Sequence, residues 1–208
     1  MIIKSYIFDQ DGTLYPDENT LSKMLRDKTK KWIKKELNLS DKEIEKLYDS
    51  LPKRYANPFD GFISLGLTIK GYYEEVFEKV NPFEYVERDE TLIKTLNDIS
   101  ADKFIVTLAS KNYSLKLQKA LGIDTLINET LFMIDFYPET SKSVAYNNIA
   151  KRKQLNPAEI CVVGNNFDVD ILPAIENGFQ SILVGKSKSC YSGIHVPIIY
   201  QISKTLNI

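Results

Sequence analysis

A chain of 208 residues with 27 basic and 28 acidic side chains can bury a substantial core, and its net charge of −1 gives no overall attraction to nucleic acid or to a membrane surface. No basic segment followed by an apolar run opens it, and no apolar stretch approaches about 18 residues, so the expectation is a cytoplasmic protein without a signal peptide or membrane span. Cys161 and Cys190 fit neither a disulfide framework nor a metal-ligand spacing and read as free thiols.

The first element is a strand. Ile2, Ile3, Tyr6, Ile7 and Phe8 are β-formers with no helical cap before them. Asp9 falls where the run stops, Asp11 follows two residues later, and Gly12 supplies the backbone freedom of a sharp turn. Two acids around one glycine at a strand end suit a cation or a phosphate.

From about residue 19 to 81 the period becomes helical. Leu21, Met24, Leu25, Trp32, Ile33 and Leu37 line one face of a long helix, placing Trp32 in a core, while the lysine-rich opposite face reads as solvated rather than as an anion attractor. Ser40 and Glu43 fit a capping box that starts a second helix, with Ile44, Leu47, Tyr48 and Leu51 inward and Pro52 ending it. A turn over 57–61 leads to further helical residues at 72–80, and Asp89 or Glu90 opens another helix. Residues 16–84 therefore read as a small helical unit inserted after the first strand.

Beyond Lys103 strands and helices alternate. Strands are expected at 104–109, 131–134, 160–163 and 181–184, and helices at 115–121, 142–154 and 169–177, with only a weak pattern at 198–206. Such alternation predicts an α/β fold with a parallel sheet flanked by helices, built from residues 1–15 and 85–208. Reactive groups in such sheets gather at the carboxyl ends of the strands, where strand order reverses. That rule selects Asp9, Asp11, Ser110 and the stretch from Gly164 to Asp170, with Lys142 near a helix start. Carboxylates for a hard cation, with a hydroxyl and an ammonium for phosphate oxygens, make an inventory for phosphoryl transfer. His195, the one histidine, reads as structural or exposed.

These residues carry a family resemblance. Asp9-Gln-Asp11-Gly-Thr-Leu resembles D-x-D-G-T-L, the first motif of the haloacid dehalogenase-like hydrolases. The segment 105–110 is similar to the second, a strand ending in Ser or Thr, with Ser110 favoured and the mid-strand Thr107 as its alternative. Lys142 resembles the third. Gly164-Asn165 and Asp170 resemble the fourth, G-D-x-x-x-x-D, with Asn165 in place of the usual acid and Asp170 favoured over Asp168. The insert at 16–84 is similar to the family's small α-helical cap, closest in look to the pyrimidine 5′-nucleotidase-like branch.

The resemblance spans nearly the whole chain and implies a Rossmann-like core with a defined chemistry. Asp9 attacks phosphorus, and Asp11 serves as general acid and then base. Mg²⁺ is held by the Asp9 side chain, the Asp11 main-chain carbonyl and the Asn165 side chain, with Asp170 completing the metal site through coordinated water. Ser110, Lys142 and backbone N–H groups around Gly12 bind the phosphoryl oxygens. The implied substrate is a small phosphorylated metabolite, a nucleotide being one option; no nucleic-acid or membrane partner is implied, and the oligomeric state stays open. Tyr15, Tyr55, Phe59, Phe62 and Tyr72 either stack on a base or form the core of the insert, the latter being expected. Phosphomutation or dehalogenation on the same scaffold, and a non-enzymatic binding module motivated by Asn165, are the alternatives.

Overall fold

All six strands run parallel in one sheet, ordered β3-β2-β1-β4-β5-β6, in the computed structural model, which describes residues 2–16, 18–202 and 205. They are β1 Ser5–Phe8, β2 Asp102–Thr107, β3 Glu129–Phe132, β4 Ile160–Gly164, β5 Gln180–Val184 and β6 Ile194–Val196. The central strands β1 and β4 are buried along their whole length, as the near-continuous apolar runs of a parallel sheet covered on both faces require, with Ser5 the polar residue among them. Strand order reverses between β1 and β4, so the residues just past Phe8 and Gly164 open into the crevice between them.

Alternation along β1 divides the packing. Tyr6 and Phe8 join a cluster with Leu96 of α5 (Glu90–Asp98) and Leu117 of α6 (Lys111–Leu121). Ile7 faces the other way, into a cluster with Ile149 of α7 (Ser143–Lys153) and Ala174 of α8 (Leu172–Glu176). This is the predicted Rossmann-like α/β architecture. Several boundaries differ. β2 lies two residues earlier than 104–109, which puts Leu108, Ala109 and Ser110 beyond the strand. β3 ends at Phe132 because Met133–Phe136 winds into a 3-10 turn. The helix expected at 169–177 begins as a π turn over Phe167–Ile171 before becoming α8. β6 was not anticipated: three residues with an exposed histidine carry no strand signal, and His195 is exposed there with a ring nitrogen 2.6 Å from the Gly185 carbonyl. Of the weak segment 198–206, the described part includes a 3-10 turn at Ile199–Gln201 and the rest lies partly outside the described residues.

Between β1 and β2 come α1 Thr20–Glu36, α2 Asp41–Arg54, α3 Pro58–Ser64 and α4 Ile69–Tyr72, the last running into a π turn at Tyr73–Phe77. The capping box of Ser40 and Glu43 forms as expected. Pro52 does not end α2, which continues to Arg54: in the last turn a proline sacrifices a single helical hydrogen bond, and the helix stops only where Tyr55 turns extended. Trp32 packs edge-on against Phe62 at 5.3 Å between ring centres and against Tyr72 at 5.6 Å, and Phe59 and Phe62 are buried. Trp32, Phe59 and Phe62 are core, while Tyr72 is half-buried against them. The inserted helices reach the sheet through the Tyr73 hydroxyl, which donates to the Leu108 carbonyl at 3.0 Å, and through Asn57, which donates to the Thr140 carbonyl. Among the described residues no helix is long and apolar enough to cross a membrane.

Candidate active site

The Asp9 N–H donates to the Val163 carbonyl at 2.8 Å, carrying the β1–β4 ladder one residue past the strand and fixing where the carboxylate starts. The chain then folds back on itself, with the Leu14 N–H donating to the Gln10 carbonyl at 3.0 Å and Gly12 at φ +84°, a left-handed conformation glycine adopts without strain. Asp9 Oδ2 accepts from the Thr13 hydroxyl at 2.7 Å, and Oδ1 accepts from Lys142 Nζ at 2.6 Å.

Lys142 stands just before α7 and is only 1% exposed. Its ammonium also donates to Asp170 Oδ1 at 2.7 Å, so one buried cation bridges two acids contributed by different strands. Asp170 lies in the π turn after β4, its Oδ2 accepting the Asn166 N–H at 3.0 Å. Gly164 makes this approach possible, since a Cβ there would lie 2.4 Å from the Cβ of Asp170. Burial works to lower the Lys142 pKa, but Asp170 and Asp9 outweigh it and the net direction is up. Burial pushes the Asp170 carboxyl up to about 6 against the pull of Lys142.

Asp11 is enclosed differently. Its Oδ1 accepts from the hydroxyls of Tyr15 at 2.6 Å and Tyr113 at 3.1 Å, and its Oδ2 from Gln10 Nε2 at 3.2 Å. The residue as a whole is half-buried, while its carboxyl is packed in protein. Burial pushes that carboxyl up to about 6, Asp9 adds to the rise, and the three hydrogen bonds pull against it.

Asp9, Asp11, Lys142, Asn165 and Asp170 line one cavity of about 220 Å³. Its opposite wall comes from the inserted helices, through Ser22, Leu25 and Arg26 of α1 with Pro58, Tyr72 and Phe77. A neighbouring cavity of about 400 Å³, lined by Gly12, Thr13, Glu18 and Lys186, shares Asn165 but contains neither Asp9 nor Lys142.

Two expected phosphate contacts are not brought to the 220 Å³ cavity. Gly12 borders the neighbouring one. Ser110 lies past the end of β2, where its Oγ caps α6 by accepting the Tyr113 N–H at 3.5 Å and donates to Glu78 Oε1 at 2.6 Å. Thr107 takes the cavity position instead. The register explains this: Phe8 pairs with Ile105, so Thr107 is level with the turn that begins after Asp9. Asp168, the rejected distal acid, is exposed and paired with Lys188 at 2.6 Å. Thr13 and Tyr113 join the site without a sequence signal that assigns them a role in it, and Tyr15 joins through its hydroxyl rather than as a ring for base stacking. Thr13 was visible as a hydroxyl four residues after Asp9, whereas Tyr113 is 102 residues from Asp11 and left no local signal.

The sequence profile of the haloacid dehalogenase-like hydrolases matches residues 6–184. The chain belongs to that family. This hydrolase is similar to the glyceraldehyde 3-phosphate phosphatase of Methanopyrus kandleri, at 23% identity over 200 residues covering 90% of this chain and 86% of that protein. Among solved structures it resembles a phosphatase of the same family from Thermococcus onnurineus, with a TM-score of 0.69, 21% identity and 98% of each chain covered. It also resembles the L-2-haloacid dehalogenase of Xanthobacter autotrophicus, with a TM-score of 0.62, 14% identity and 99% of each chain covered. At these identities the two structures share the hydrolase's fold, and its chemistry has to be argued from its own side chains.

Proposed function

We propose that this hydrolase is a phosphatase that cleaves a small phosphomonoester in the cavity between the strand ends and the inserted helices. The observation that carries the reading is the Lys142 ammonium held between Asp9 and Asp170. It fixes the Asp9 carboxylate at the switch point of the sheet and places a buried cation where phosphoryl oxygens can meet it.

In this reading Asp9 attacks phosphorus, the ester oxygen departs, and an aspartyl-phosphate forms that water then hydrolyses. Asp11 protonates the departing oxygen and afterwards takes a proton from the water, a role suited to a carboxyl raised to about 6. Thr107 and Lys142 bind phosphoryl oxygens. Dehalogenation would need the nucleophile but no acid for an alcohol oxygen, so the donors gathered on Asp11 favour ester cleavage.

The donor set fits Mg²⁺. The Asp9 and Asp170 carboxylates, the Asn165 amide oxygen and the Asp11 main-chain carbonyl are all oxygens of cavity-lining residues, and Gly164 leaves room for Asp170 by lacking a Cβ. Mg²⁺ held by these groups would supply charge neutralisation between an anionic nucleophile and an anionic phosphate.

Residues 16–84 act as the cap over a core of 1–15 and 85–208, setting the size of what can bind. At about 220 Å³ the cavity is smaller than the roughly 300 Å³ where pockets for drug-sized ligands begin, which favours a phosphoester of a few carbons over a nucleotide. The substrate in the name of the Methanopyrus relative is of that size. A panel of small phosphomonoesters assayed with and without Mg²⁺, for wild type and Asp9→Asn, tests the reading. Mg²⁺-dependent phosphate release that disappears in the variant is expected; hydrolysis surviving Asp9→Asn, or absent from the whole panel, would sink it.

A further inference from the structure

We infer that Tyr15 and Tyr113 are positioning residues that aim the Asp11 carboxyl at the departing ester oxygen. The inference rests on the reading of Asp11 as the general acid and adds to it the residues that make the acid effective.

Both phenols converge on the same atom. Tyr15 donates to Asp11 Oδ1 at 2.6 Å from the end of the turn, and Tyr113 donates to it at 3.1 Å from the first turn of α6. The other oxygen is held too. Gln10 Nε2 donates to Oδ2 at 3.2 Å, and Gln10 is itself fixed through its Oε1, which accepts from the Ser114 hydroxyl at 2.7 Å and from Gln118 Nε2 at 3.3 Å. Helix α6 thus anchors one face of the carboxyl directly through Tyr113 and the other through Gln10. Turning the carboxyl away would break a hydrogen bond in a buried place, where an unmade one costs about 1–3 kcal/mol.

Packing alone does not account for the hydroxyls. The Tyr113 ring contacts Phe77 at 4.8 Å between centres, and Tyr15 is 3% exposed, so phenylalanine would fill either site. The hydroxyls add hydrogen bonds to the carboxyl, and both go to one oxygen, fixing its direction.

Direction matters because proton transfer requires hydrogen-bond reach. As the P–O bond breaks, its electron pair stays on the ester oxygen and the Asp11 proton moves to that oxygen. An alkoxide leaving group depends on this proton, while p-nitrophenolate departs without it. Loss of either hydroxyl therefore penalises alkyl esters selectively.

The test compares kcat/KM on glyceraldehyde 3-phosphate with kcat/KM on p-nitrophenyl phosphate for wild type, Tyr15→Phe, Tyr113→Phe and Asp11→Asn. Both rates come from one preparation, so their ratio does not depend on the fraction folded. The alkyl-to-aryl ratio is expected to fall by about tenfold in each tyrosine variant, part of the roughly 10²- to 10⁴-fold that general acid catalysis contributes, and by more in Asp11→Asn. A ratio that falls in Asp11→Asn but holds at the wild-type value in both tyrosine variants overturns the inference and leaves the reading of Asp11 standing. A ratio unmoved by Asp11→Asn, or a wild type inert toward p-nitrophenyl phosphate and every alkyl phosphomonoester of the panel, overturns that reading and the inference with it.

Discussion

Lys142 Nζ donates to Asp9 Oδ1 at 2.6 Å from a side chain that is 1% exposed, joining the start of α7 to the end of β1 across 133 positions of sequence. The same ammonium reaches Asp170 at 2.7 Å, so without it two buried acids would face each other unpaired. Breaking such a pair costs about 3–5 kcal/mol, because the remaining charge stays buried without compensation. Lys142→Met is therefore expected to lose phosphatase activity and most of that stability in urea unfolding. A variant within about 1 kcal/mol of wild type, the level of an exposed pair, would show that the bridge contributes little.

Under the proposed function, Thr107 lines the cavity and takes the second phosphate contact in place of Ser110. A hydrogen bond to a charged group is worth about 1.5–3 kcal/mol, so Thr107→Val is expected to lower kcat/KM by roughly 10- to 100-fold. Ser110→Ala removes a helix cap and a bond to Glu78, costing about 1 kcal/mol of stability, with kcat/KM near the wild-type value. The opposite pattern would return Ser110 to the site.

How much of this was legible follows from the range of each cause. Asp9, Asp11, Lys142 and Asp170 could be placed because the end of an apolar run marks a strand terminus and alternation marks a parallel sheet, both local patterns. The end of β2 could not be fixed to a residue: Phe104 through Ala109 stay apolar or β-forming, and only pairing of Ile105 with Phe8 decides that Thr107 meets the cavity. Tyr113 is more remote still, since its hydroxyl reaches Asp11 only once α6 has packed on the sheet. β6 has no signature in the sequence, because three residues against one neighbouring strand leave no period to read.

Asp11 carries a pH signature whose sign is set by burial. Its carboxyl is pushed up to about 6 from an unfolded value near 4, so protonation favours the folded state. The stability this provides is complete below about pH 4 and is lost as pH rises through about 6, amounting to roughly 3 kcal/mol across the window. Asn cannot ionise, so Asp11→Asn should gain on wild type by that order between pH 4 and pH 7 in denaturant titrations. Parallel pH curves for the two proteins would contradict the shift.

Gly164 tests the architecture from the backbone side. A Cβ there would lie 2.4 Å from Asp170 Cβ and 2.6 Å from its Oδ2, closer than any side-chain contact tolerates. Gly164→Ala is expected to displace Asp170 from Lys142, destabilising by about 1–3 kcal/mol as overpacking does, and to lower activity although no functional group is removed. Wild-type activity in this variant would show that the Asp170–Lys142 contact is dispensable.

Asn165 is where this hydrolase departs from the G-D pattern it otherwise resembles. Its Oδ1 lies 3.4 Å from the Thr13 hydroxyl that also bonds Asp9, so the amide and the Asp9 carboxylate share one donor. Asn165→Asp would add a further negative charge beside Asp9 and Asp170 while Lys142 remains the bridging cation. Repulsion should lower the melting temperature without Mg²⁺. With it, more ligand charge means tighter binding, and the gain in stability should set in at lower Mg²⁺, reaching about 2.7 kcal/mol at a hundredfold excess over Kd. Calorimetric Mg²⁺ titration of both proteins checks the order of affinities. Identical titrations would mean that residue 165 is no ligand, and the fit of the site to Mg²⁺ would then have to rest on Asp9, Asp11 and Asp170.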